Sequence, residues 1–236
     1  RPDPRQVKLT VQRIGDVLDG CEFKYVGDLN DGAPLRLATH LKFRADLSRK
    51  AGGFSHQTAA FYLAAARRFV WWLSVKKRAP VPVGLFDSIP GFDPDNHRKH
   101  ARRNVTPDEL ARVLDAARGG EEAEGLSGEA RYHLYLAAFA TGFRAAELAS
   151  LQPESFDLAA DPPVVRLAGK ASKNKKAATQ PLPPGVAAQL ATFLATTTPG
   201  EPIWPGKWRT HAARMLRVDL AAAGVPYSVP GTNGPA

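Results

Sequence analysis

Arg144 stands where an apolar run breaks and restarts. Tyr135-Leu-Ala-Ala-Phe-Ala-Thr141 meets Gly142, and the chain resumes as Phe143-Arg144-Ala-Ala-Glu147-Leu148-Ala-Ser-Leu151. A guanidinium is a planar, permanently charged fork that matches two oxygens of a phosphate. A chain break followed by a fresh helix N-terminus adds oriented N–H groups, which also favour an anion. Glu147 falls one turn later and reads as the partner that orients the arginine and its backbone. A turn rich in lysine follows, with Lys170, Lys173, Lys175 and Lys176, and later comes the string His211-Ala-Ala-Arg214. After Arg144 the sequence holds one tyrosine, Tyr227. Arginine forks, a general acid and a hydroxyl nucleophile are the parts of a metal-free phosphoryl transfer.

These residues need a scaffold, and the periodicity supplies one. Thr106-Pro107-Asp108-Glu109 is a capping box with proline at the first helical position, and Leu110, Val113 and Leu114 give that helix its buried stripe. Residues 119–127 form an acidic loop, and a helix over 128–140 leads into the arginine. Residues 152–157 read as a turn-rich exit. Val164–Ala168 alternates like a strand, Ala177–Leu182 returns, and Pro183-Pro184 opens a helix carrying Val186, Leu190 and Leu194. Ile203-Trp204 is an apolar anchor before a last helix over 207–223. The end, from Val229 to Ala236, is rich in turn formers and reads as a frayed tail.

The first part of the chain is helical by pattern. Val7, Val11, Ile14 and Leu18 share a stripe that Gly20 can end, and Leu35–Leu47 forms a second amphipathic run with Arg44, Arg49 and Lys50. Ser55 caps a third, with Tyr62, Ala65, Ala66, Phe69, Val70, Trp72 and Leu73 as its core face and Arg67, Arg68, Lys76, Lys77 and Arg78 as its cations. The aromatic residues read as core rather than as stacking platforms. Residues 79–105 carry prolines, glycines and the basic run His97-Arg98-Lys99-His100-Ala-Arg102-Arg103, which reads as a linker with a basic clasp. His97 and His100 lack an accompanying cysteine or carboxylate, so no metal site is expected.

The segment around Arg144 resembles the first catalytic-arginine box of tyrosine recombinases, the phage integrase family, roughly Thr-Gly-x-Arg-x-x-Glu-Leu-x-x-Leu. The resemblance extends over most of the chain. It implies a mainly α fold with a small β-hairpin or sheet: a helical core-binding domain at 1–78, a basic linker at 79–105, and at 106–236 the N-terminal part of an α+β catalytic domain. It implies DNA integration and site-specific recombination through a 3′-phosphotyrosine intermediate. Arg144 then binds the scissile phosphate, and the hairpin turn supplies the catalytic lysine, Lys173, with Lys170 as competitor. Lys175 and Lys176 fall to backbone contact. A complete member carries a second His-x-x-Arg box, a further His or Trp, and the tyrosine on a late helix. His211 and Arg214 match the string only, and Tyr227 lies among turn formers. The expectation is therefore a truncated homologue, inactive by itself. The alternative is a non-catalytic DNA-binding module, a competitor or architectural factor. An unrelated basic helical regulator would need a helix-turn-helix signature, which is not found.

The totals agree with a nucleic-acid partner. The 236 residues carry a formal net charge of +9, with 44% hydrophobic residues. Such a balance favours a polyanion, here double-stranded DNA, with a homo-oligomer on DNA as a further expectation. The DNA contacts expected are Arg67, Arg68, Lys76, Lys77, Arg78, Arg98, Lys99, Arg102, Arg103, Lys175 and Lys176. No apolar run reaches the length of a membrane span. The single cysteine, Cys21, excludes an internal disulfide and fits a reducing, cytoplasmic setting. No cofactor is expected. The chain begins with Arg1 and its one methionine is Met215, so it reads as an excerpt or processed product.

Overall fold

The computed structural model describes residues 3–93, 100–101 and 103–230. The chain is mainly α-helical with a small antiparallel sheet. It divides into two compact units, one holding the chain through Ala101 and the other Arg102–Val229.

In the first unit, α1 (Pro4–Gly20) starts because Asp3 accepts the N–H of Arg5 at 2.9 Å and Pro4 needs no donor partner there. Helix α2 (Ala33–Asp46) follows, then α3 (His56–Trp71), capped as expected by Ser55, whose hydroxyl accepts the N–H of Thr58. The last turn of α3 widens into a π-helical segment, Trp72–Lys76. Val17, Leu37, Leu41, Leu63, Ala66 and Val70 form the core. Gly20 has a steric role: a Cβ there would meet the His40 ring at 2.3 Å. The thiol of Cys21 is buried, and that burial pushes its pKa up to about 11, so it stays protonated and unreactive at neutral pH.

Three expectations for this unit are corrected. The start of the α1 stripe is not core: Val7 and Val11 are exposed, and Val17 is the residue that docks. Trp72 is exposed as well, because the π-helical turn rotates it off the buried face. The proline-rich stretch from residue 79 is not simply linker. Val81, Leu85, Phe86 and Ile89 are buried in the same core, and proline spacing concealed their pattern.

The first unit also holds β1 (His100–Ala101); in the second unit, the coil at 103–106 leads into α4 (Pro107–Gly119), with the Thr106/Glu109 capping box in place. A tight turn at Glu124-Gly125 separates it from α5 (Gly128–Thr141). Seven consecutive α5 residues, Arg131 to Ala137, are buried, as befits a helix enclosed on all sides. Gly128 permits this enclosure: a Cβ would meet the Arg118 carbonyl at 2.4 Å. Then come the single-turn α6 (Ala145–Leu148) and a three-stranded antiparallel sheet. Its strands are β2 (Phe156–Asp157), β3 (Val164–Leu167) and β4 (Ala178–Pro181), with Phe156 opposite Val165 and Val165 opposite Gln180. Strand β2 stands where the sequence reads as a turn-rich exit, because two residues are too few to show alternation. Helices α7 (Pro184–Leu194) and α8 (Trp208–Ala222) complete the unit, and β5 (Val229–Pro230) follows. Trp204 and Trp208 are buried, and the Trp204 indole donates to the Ala130 carbonyl at 3.0 Å.

Candidate phosphate site and basic surfaces

The break before Arg144 is made by Gly142, which caps α5 in the left-handed conformation at φ +66°. Arg144 then occupies the N-cap position of α6 in extended backbone. Glu147 holds it there. One carboxylate oxygen accepts the Arg144 backbone N–H at 2.9 Å, and the other accepts from Arg144 Nη1 at 3.1 Å. The second oxygen also accepts, at 3.5 Å, the backbone N–H of Lys173 from the turn between β3 and β4. One buried carboxylate thus joins the chain break to the hairpin turn. The Arg144 N–H holds the Glu147 carboxyl below the ordinary carboxylate range, overcoming burial, and the Lys173 N–H and the guanidinium add to the effect.

The Arg144 side chain is 63% exposed, so most of its donors face solvent. The expected contribution of a helix N-terminus is corrected. A four-residue helix has little dipole, and its first N–H groups lie beside Glu147. The charge presented at this break is the exposed Arg144 guanidinium.

Lys173, Lys175 and Lys176 are exposed on the β3–β4 turn, where Lys175 takes φ +56°. Lys170 lines a shallow cleft of about 410 Å³ with Gln152, Glu154, Ser155, Arg166 and Thr179. Arg144 does not line that cleft. Among the described residues, no hydrogen bond or ion pair joins His211 or Arg214 to Arg144 or Lys173. Both belong instead to α8 and face the acidic loop: His211 Nδ1 lies 2.9 Å from one Glu124 oxygen and Arg214 Nε 3.7 Å from the other. Tyr227 sits in a bend beyond α8, with the Arg217 guanidinium 4.3 Å over its ring.

The basic residues of the first unit divide by what they touch. Arg67 donates to the carbonyls of Phe86 at 3.1 Å and Ile89 at 2.6 Å, so it clamps the 81–89 segment to α3. That work inside the fold replaces the free cation read from its helical position. Arg68, Lys76, Lys77 and Arg78 are exposed. Lys76 lies 5.8 Å over Trp71 and Lys77 5.1 Å over Trp72. Arg103 is not a free clasp either: it is half-buried and forks onto both oxygens of Glu109. His97, Arg98, Lys99 and Arg102 lie outside the described residues.

One polar cluster was missed. Arg131 and Asp219 are buried, and every Arg131 N–H is used. Nε and Nη2 reach the Asp219 oxygens at 3.1 and 3.2 Å, while Nη1 and Nη2 reach the carbonyls of Glu121, Leu126 and Ala117. Tyr135 donates to Asp219 at 2.6 Å; burial foremost, then that bond, raises its phenol pKa. The signal was present, since Asp219 shares the apolar α8 face with Trp208 and Met215. Among the described residues, no group of three or more His, Cys, Asp or Glu is placed to hold a metal ion. No described helix is long and apolar enough to cross a membrane.

No family model matches this sequence, and no curated protein does. Among solved structures, a XerA recombinase is similar at 17% identity and TM-score 0.43, over 98% of this chain and 75% of that one. An integrase from mycobacterium phage Brujita is similar at 19% identity and TM-score 0.40, over 96% of this chain and 69% of that one.

Proposed function

We propose that the chain is a tyrosine recombinase homologue that binds double-stranded DNA and engages one backbone phosphate with Arg144 and Lys173. The observation that carries this reading is Glu147, whose carboxylate holds both the Arg144 backbone and the Lys173 backbone. It ties together the backbones of two basic residues far apart in sequence, one of which carries an exposed guanidinium. A fork with spare donors is suited to non-bridging phosphate oxygens, and a lysine beside it to protonating a departing sugar oxygen. The same tie favours Lys173 over Lys170 as the acid. Arg68, Lys76, Lys77, Arg78, Lys175 and Lys176 supply backbone contacts in this reading.

The chemistry that the motif implies is attack by a tyrosine oxygen on the phosphorus. That step forms a 3′-phosphotyrosine and releases the 5′-oxygen, which takes its proton from the acid. Tyr227 is a poor candidate for that oxygen, because it lies in a bend beneath the Arg217 guanidinium and on no helix. We therefore propose that the 236-residue chain binds DNA without forming a covalent adduct.

Fluorescence anisotropy with a labelled duplex across a salt series tests the binding. Affinity should fall steeply as salt rises; a flat response, or no binding at low salt, rejects the reading. A nicked suicide duplex followed by denaturing electrophoresis tests the chemistry. An adduct lost in Tyr227→Phe would show that the chain carries its own nucleophile.

A further inference from the structure

Helix α8 carries a stripe of basic side chains that the phosphate site does not use. Lys207, its N-cap residue, is followed by His211, Arg214 and Arg217 at steps of four, three and three, which places all four along one face. All are exposed, with the Arg214 side chain 80% open. The opposite face buries Trp208, Met215 and Asp219 in the core, so the stripe is fixed toward solvent. Along it the helix rises about 15 Å. One DNA strand carries a charge about every 3.4 Å of axis, so a stripe of this length meets several phosphates.

Among the described residues, the carboxylate paired with this stripe is Glu124, which reaches both His211 and Arg214. Its backbone is unusual. Glu124 has φ +53° and Gly125 φ +81°, in a two-residue turn closed by the Ala123–Leu126 pair. Such a turn favours Asn, Asp or Gly at its first position, so glutamate is held there against local preference. The turn is also anchored, because Arg131 holds the carbonyls of Glu121 and Leu126 on either side. Glu124 can leave His211 and Arg214 by a side-chain rotation while the loop stays in place.

We propose that this face of α8 is a second seat for the phosphates of double-stranded DNA, and that Glu124 is an internal anion which DNA displaces. The proposal rests on the DNA-binding reading above and adds a surface and a gate to it. Charge complementarity argues for the occupant: Lys207, Arg214 and Arg217 in one row, answered by a single carboxylate, match a linear polyanion.

The test compares duplex affinity and its salt slope for the full chain and its variants. Glu124→Gln should tighten binding about three- to tenfold at about 0.1 M salt and steepen the log–log salt slope by about one. Glu122→Gln, an exposed acid of the same loop, should change affinity less. Arg214→Gln should weaken binding and abolish the gain from Glu124→Gln in the double variant. Equal gains in E124Q and E122Q, or a gain that survives R214Q, overturn the seat. If the wild-type chain itself fails to bind, the DNA reading falls with it; if it binds steeply and E124Q is silent, only the seat falls.

Discussion

Two arginine–carboxylate pairs in the second unit are built from the same groups and put to opposite uses. Arg131 is 2% exposed and spends every N–H on Asp219 and three backbone carbonyls. Arg144 is largely exposed, and its side chain gives one bond to Glu147. In the first pair the carboxylate completes the arginine. In the second it is the buried member and aims the arginine outward. What separates a structural arginine from one available to a ligand is therefore the number of donors left over, not the presence of an acidic partner.

The contrast can be broken most sharply at Asp219. Asp219→Ala leaves a buried guanidinium without its counter-charge and should cost about 3–5 kcal/mol in denaturant unfolding. A loss below about 1 kcal/mol would mean that water reaches Arg131 and that the pair is not closed. Arg131 and Arg144 should then diverge under the same substitution. Arg131→Ala should lower the melting temperature markedly, whereas Arg144→Ala should change stability by less than about 1 kcal/mol while weakening capture of a nicked duplex with vanadate. Arg144→Lys should not restore that capture, since a point charge cannot form the fork. If R144A unfolds the chain, Arg144 is structural and the site reading fails.

Glu147 should fall between these extremes. Glu147→Gln removes an acceptor shared by two backbone N–H groups and the guanidinium, and should cost about 1–3 kcal/mol at pH 7. Because the folded carboxyl is held below its unfolded value, its contribution is fully present above the ordinary carboxylate range, near pH 4.3. It is lost as the pH falls through the lowered folded value. Thermal melts of wild type and E147Q should accordingly converge in acid; a gap that stays constant to pH 2 would show that the charge on Glu147 is not what stabilises. The smallest effect belongs to Tyr135→Phe, about 1 kcal/mol, because Asp219 keeps both Arg131 bonds when the phenol is removed. A larger loss, by chemical denaturation, would make Tyr135 an equal member of the buried cluster.

Local chemistry was legible wherever one short segment contains all the partners. The Ser55 cap, the Thr106/Glu109 box, the Gly142 break and the Arg144–Glu147 pair all close within a few residues, so residue type and spacing specify them. Linker against core was not legible between Val81 and Ile89. Prolines there interrupt any period, and burial depends on Arg67 clamping carbonyls about twenty residues away in sequence. Trp72 was misplaced for a related reason, because a π-helical turn shifts the face on which a side chain emerges.

The sequence by itself determined a basic, mainly helical chain with an arginine at a glycine break and a lysine turn between two strands. These follow from dihedral preference, capping and hydrophobic period, which act between near neighbours. Tertiary structure alone decided which charges are free. It tied Lys173 to Glu147, closed Arg131 on Asp219, and set Glu124 against His211 and Arg214. A charge is spent or available according to the groups folding brings to it from distant parts of the chain, and no local pattern records them.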